Sequence, residues 1–141
     1  MKLNHQDFLM RQFQDIALVL AKIMGLEKVE AYEEVHELID EKLRSWFEKN
    51  AVDFVGWEDA DWRTFLEEKM PHEIGQNALA QLLIAKGNLL KKEGFINEGQ
   101  KYLKKALFIL EFVHTNSQLY DFERVRQLEV LKKEVREYDK K

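Results

Sequence analysis

Apolar residues recur along the chain at steps of three and four, the spacing of one face of an α-helix, and no segment shows the strand-like alternation of apolar and polar residues. Two such stretches occupy residues 1–48. The first ends at Gly25, a residue typical of a helix C-terminus, and carries Phe8, Phe13, Ile16, Ala17, Leu20 and Ile23. The second covers about 28–48 and carries Tyr32, Val35, Ile39, Leu43 and Trp46. Because the joint between them is very short, we expect an antiparallel hairpin.

The rest of the chain divides at its glycines, its proline and its polar clusters. Residues 49–57 read as a loop and about 58–69 as a short helix, which together make a connecting region over 49–70. A second hairpin is predicted over 71–114. Its first helix begins at Pro71 and is ended by Gly94, and its second is capped by Asn97 with Gln100. A last helix over 117–139, with its regular pattern from 118, carries Phe122, Val125, Leu128, Leu131, Val135 and Tyr138. The sequence therefore predicts one all-α domain of five or six helices, 1–141, with a long C-terminal capping helix.

Composition narrows the class of protein. Of 141 residues, 34% are charged, and 26 acidic side chains exceed 22 basic ones, a balance that argues against a nucleic-acid-binding face. The absence of cysteine excludes disulfides and thiolate metal sites and fits a reducing compartment. No apolar run approaches the roughly 20 residues that span a bilayer, and no secretory leader is recognisable. We expect a soluble, cytoplasmic protein that contacts neither membrane nor nucleic acid.

Residues 80–113 resemble a tetratricopeptide (TPR) motif of the usual 34-residue length. Gly87 and Gly99 stand at small positions where the two helices of the motif approach each other, and Gly94 stands at the turn. Leu83, Leu90, Leu103 and Ala106 match the packing positions. Lys86 and Glu111 depart from the pattern, and the first hairpin matches it poorly. The whole chain is also similar to a group of small bacterial proteins, without an assigned activity, that join an N-terminal hairpin to one TPR-like hairpin.

The resemblance implies a non-enzymatic module that binds a peptide or a partner helix in a cleft between the first helix and the helix over 71–93. The cleft residues that it implies are Gln81, Ile84, Asn88 and Lys91. Trp57 and Trp62, in an aromatic and acidic segment, either form the mouth of that cleft or fold under the segment to close the end of the core. No motif for catalysis or for a cofactor is present, so we expect neither.

A different class of function rests on two Glu-x-x-His units. Glu33 with His36 and Glu111 with His114 each place two metal-ligating side chains on one side of a helix, as di-iron carboxylate bundles do. The supporting pair of carboxylates is missing: the first helix offers Asp15, but residues 79–90, the middle of the helix over 71–93, contain no carboxylate. A solvated helix face is therefore the favoured interpretation, and the metal-binding or small-ligand bundle is the alternative.

Two further features allow more than one interpretation. Lys86 interrupts a leucine-rich stripe. In one interpretation its aliphatic stem packs in the core while its ammonium reaches solvent at the edge. In the other, the ammonium forms a buried ion pair, for which Glu111 is the favoured partner, or it receives an anionic ligand.

The apolar stripe of the helix over 118–139 approaches a coiled-coil seam. It either caps the second hairpin within one chain or joins two chains as a homodimer.

Overall fold

The computed structural model describes residues 5–69, 72–117 and 121–139, and within these ranges it describes no side chain for residues 5–10, 12, 13, 51 and 69. The described residues form helices joined by short turns, with no strand among them. A π-helical turn, Phe65–Lys69, directly continues the fourth helix. The helices are α1 (His5–Lys28), α2 (Tyr32–Phe47), α3 (Ala51–Val55), α4 (Asp59–Thr64), α5 (Glu73–Lys92), α6 (Ile96–Asn116) and α7 (Phe122–Asp139). The all-α prediction is confirmed, and none of these helices is long and apolar enough to cross a membrane.

The first hairpin consists of α1 and α2. The predicted end of the first helix at Gly25 is wrong, because α1 continues to Lys28 and thereby packs Leu26 against the core. The turn uses Glu30 instead, whose φ of 59° lies in the left-handed region. In the predicted stripe of α1, Ile16 and Ile23 are buried and Leu20 is half-buried, whereas Ala17 is exposed. The side chains of Phe8 and Phe13 lie outside the described set.

The stretch between the hairpins is more helical than predicted. The expected loop over 49–57 contains α3, and the Asp53 carboxylate accepts the backbone N–H of Asn50 at 3.2 Å. Asp61 accepts the N–H of Glu58 at the same distance at the start of α4. Because a carboxylate three residues into a helix satisfies a donor that would otherwise be free, both short helices begin at these pairs.

The second hairpin, α5 with α6, forms the most extensive helix contact in the described chain. Gly94, with φ of +94°, ends the turn after α5 as predicted. Pro71 lies outside the described residues. The predicted capping pair of Asn97 and Gln100 is wrong, because α6 begins at Ile96 and Gln100 is buried. The helix ends at Asn116, two residues beyond the predicted His114.

The last helix, α7, packs along α6. Its stripe residues Leu128, Leu131 and Val135 are buried within the chain, while Phe122 is exposed. The apolar seam that the sequence offered for self-association is thus covered by the protein's own hairpin.

Candidate functional site

The four cleft residues lie in one row along α5, at steps of three and four, but α7 engages its two ends. The Gln81 and Gln127 carboxamides exchange two hydrogen bonds, of 2.7 and 2.9 Å. At the other end the Lys91 ammonium donates to Gln100 at 2.9 Å and to Glu134 at 3.3 Å. Gln81 and Lys91 are therefore held in place by the fold, which the resemblance to a repeat did not indicate.

The middle of the row remains open. Ile84 is half-buried against the core, and Asn88 is exposed. On the side of α5 that faces α1, Lys92 lies 3.7 Å from the Glu27 carboxylate, so the two helices are also joined by a charge pair. We call Gln81, Ile84, Asn88 and Lys91 the α5 row. It presents an apolar side chain and a carboxamide between two side chains of fixed orientation.

The aromatic segment folds under itself instead of forming a mouth. Trp62 is fully buried, stacks on Phe54 with ring centroids 5.2 Å apart, and donates its indole N–H to the Phe54 carbonyl at 3.1 Å. Trp57 packs at 4.9 Å from Trp62 and remains half-buried. Its carbonyl accepts a hydrogen bond of 2.6 Å from Lys105 of α6. These aromatic residues close the end of the core, and a fully buried Trp62 is not accessible to a partner.

Lys86 forms the buried ion pair that the sequence suggested, but with a different partner. Its ammonium donates to the Asp40 carboxylate at 3.1 Å and to Nδ1 of His36 at 2.8 Å, although the residue is only 8% exposed. Since an ammonium only donates, the His36 ring proton lies on Nε2, which donates to Glu93. The predicted partner, Glu111, is exposed and lines a surface cavity. The chain Asp40–Lys86–His36–Glu93 therefore joins α2 to α5.

Tyr102 of α6 lies near this polar chain. Burial, together with the negative charges of Asp40 and Glu98, raises the pKa of its phenol from 10.0 to about 12. The phenol therefore keeps its proton to a higher pH than an ordinary tyrosine does.

The two Glu-x-x-His units are not brought together. Glu33, Glu111 and His114 are exposed, and both ring nitrogens of His36 are engaged by Lys86 and Glu93. Among the residues that the structure describes, no three histidine, aspartate or glutamate side chains are grouped as a metal ion requires.

Comparison with known proteins adds no relative. No protein-family model matches the chain, and neither a curated protein nor a solved structure is significantly similar to it.

Proposed function

We propose that this chain is a non-enzymatic protein-interaction module that binds an extended peptide or a partner helix along the α5 row. The proposal rests on the hydrogen bonding and the exposure of the side chains in that row. Its ends, Gln81 and Lys91, are held by hydrogen bonds to α7, while Asn88 between them is exposed. Side chains that are already ordered lose little conformational entropy when a partner binds, so the order of this row lowers the entropic cost of binding.

The chemistry of the row suits a polypeptide. A carboxamide such as Asn88 both donates and accepts hydrogen bonds, which matches a peptide group, and the half-buried Ile84 offers an apolar contact beside it. Charge is not the recognition element here, because Glu134 compensates Lys91.

The resemblance to TPR motifs supports the same assignment. Such a motif requires close contact between its two helices, and the backbones at Gly87 and Gly99 approach each other closely. A cytoplasmic location is part of the proposal, supported by the absence of cysteine.

Affinity capture from a native lysate tests the proposal. The bait is the wild type, Asn88→Arg or a matched control, Asn97→Arg, which makes the same change at an exposed residue of α6. We expect one protein to be recovered by the wild type and the control and to be lost with Asn88→Arg. Recovery of the same protein by Asn88→Arg, or of none by the wild type, would contradict the proposal. Lys91 is avoided because its replacement would also disturb α7.

A further inference from the structure

A second surface lies on the opposite end of α6 from the turn at Gly94. Two adjoining cavities of about 330 and 310 Å³ share Glu67, Phe112 and Asn116, so they form one continuous groove. One wall is the π-helical turn with the end of α4, and the other is the C-terminal half of α6. We call it the α6 groove.

We propose that the α6 groove binds a short polypeptide segment in which apolar side chains are flanked by lysine or arginine. The floor supplies the apolar part of this recognition. Leu66 and Val113 are buried beneath it, whereas Phe108 and Phe112 are only half-buried and present aromatic surface to solvent. An apolar side chain seated on these rings would remove that surface from water, the main source of affinity in small grooves.

The walls supply the electrostatic part. Glu67 on the π-helical turn and Glu111 on α6 are exposed carboxylates, and neither forms an ion pair with a described residue. Glu73, at the far end, differs because Arg124 donates to it at 2.6 Å and Ser117 at 3.2 Å. Arg63 is the one basic side chain among the described lining residues. Among the described lining residues, the two carboxylates without an ion pair, Glu67 and Glu111, thus outnumber the single cation, which favours a basic segment and disfavours an acidic one.

The length of the groove limits what fits. Phe108 and Ser117 are nine residues apart on α6 and its C-cap, which corresponds to about 13 Å at the helical rise. About four residues of an extended chain cover that distance. The expected ligand is therefore a short linear segment rather than a folded domain.

Fluorescence anisotropy with two labelled hexapeptides tests the proposal. One probe is Lys-Leu-Lys-Phe-Leu-Lys and the other is its counterpart with glutamate in place of lysine. We expect the basic probe to bind the wild type, more weakly as salt rises, and the acidic probe not to bind. The double variant Glu67→Lys/Glu111→Lys should bind the basic probe at least about tenfold more weakly than the wild type does, and it should bind the acidic probe.

A matched control separates the groove from net charge. Glu129→Lys/Glu137→Lys makes the same change of charge on exposed positions of α7 and should bind the basic probe as the wild type does. Asn88→Arg should also leave this binding unchanged, since it lies on the α5 row, so failure of the proposed function and failure of the groove are distinguishable. Equal loss in both double variants, or equal binding of the two probes to the wild type, would overturn the proposal.

Discussion

Gly87 of α5 and Gly99 of α6 face each other so closely that neither position has room for a side chain. A Cβ added at Gly99 would lie 2.5 Å from the Gly87 carbonyl oxygen, and one added at Gly87 would lie 2.8 Å from the Gly99 carbonyl oxygen. Since both obstacles are backbone atoms, they move only if the helices separate. The distance between α5 and α6, and with it the position of the α5 row, depends on these two glycines.

Gly87→Ala is therefore expected to destabilise the protein by roughly 1–3 kcal/mol, the usual cost of overpacking. Gly25→Ala provides the matched control, because Gly25 lies within α1 and an added Cβ there meets nothing within 4 Å. That variant should be more stable than the wild type by about 0.5–1 kcal/mol, since alanine favours helix. Urea denaturation measures both values, and the same sign for the two variants would contradict the packing described here.

Lys86 and Asp40 are expected to be energetically coupled. Lys86→Met leaves Asp40 and His36 without their shared donor, so we expect a loss of about 1–3 kcal/mol in the free energy of unfolding. In a double-mutant cycle with Asp40→Asn, the coupling energy should exceed about 0.5 kcal/mol. A cycle of Lys86→Met with Glu111→Gln is the control, with additive effects expected. If Lys86→Met stabilises the protein, the ion pair makes no net contribution to the fold.

The raised pKa of Tyr102 predicts a loss of stability at alkaline pH. Its folded-state pKa of about 12 lies above the unfolded value of 10.0, so the unfolded chain releases the proton first. The effect is absent below pH 10, and between about pH 10 and 12 the free energy of unfolding should fall by up to about 3 kcal/mol. Tyr102→Phe should lack this part of the decrease. Parallel stability curves for the two proteins over that range would show that the phenol does not titrate as described.

The sequence predicted those parts of the fold that depend on local patterns. Gly94 has the positive φ expected of a turn glycine, and the periodicity of Leu128, Leu131 and Val135 identified a buried face. The predicted end of α1 at Gly25 was wrong because glycine permits a helix end without requiring one. The packing of Leu26 against the core extends α1 past Gly25. The predicted capping role of Gln100 was wrong because the sequence does not distinguish a glutamine that caps a helix from one that is buried.

The site was harder to predict because its partners are distant along the chain. The row on α5 follows from helical spacing, but Gln81 pairs with Gln127 and Lys91 with Glu134, residues contributed by α7. The anomaly at Lys86 was visible, yet its partner Asp40 lies 46 residues earlier. No local rule connects such positions, since tertiary packing alone decides which of many carboxylates reaches a buried ammonium.

Site-specific photo-crosslinking is the most direct test of whether a partner binds along the α5 row. A photoreactive phenylalanine analogue is placed at Asn88 in one protein and at Lys133 in another, both at exposed positions. Each is irradiated in native lysate and adducts are identified by mass spectrometry. We expect one specific protein adduct from position 88 and its absence from position 133. No adduct from position 88, or the same adduct from both positions, would contradict binding along the α5 row.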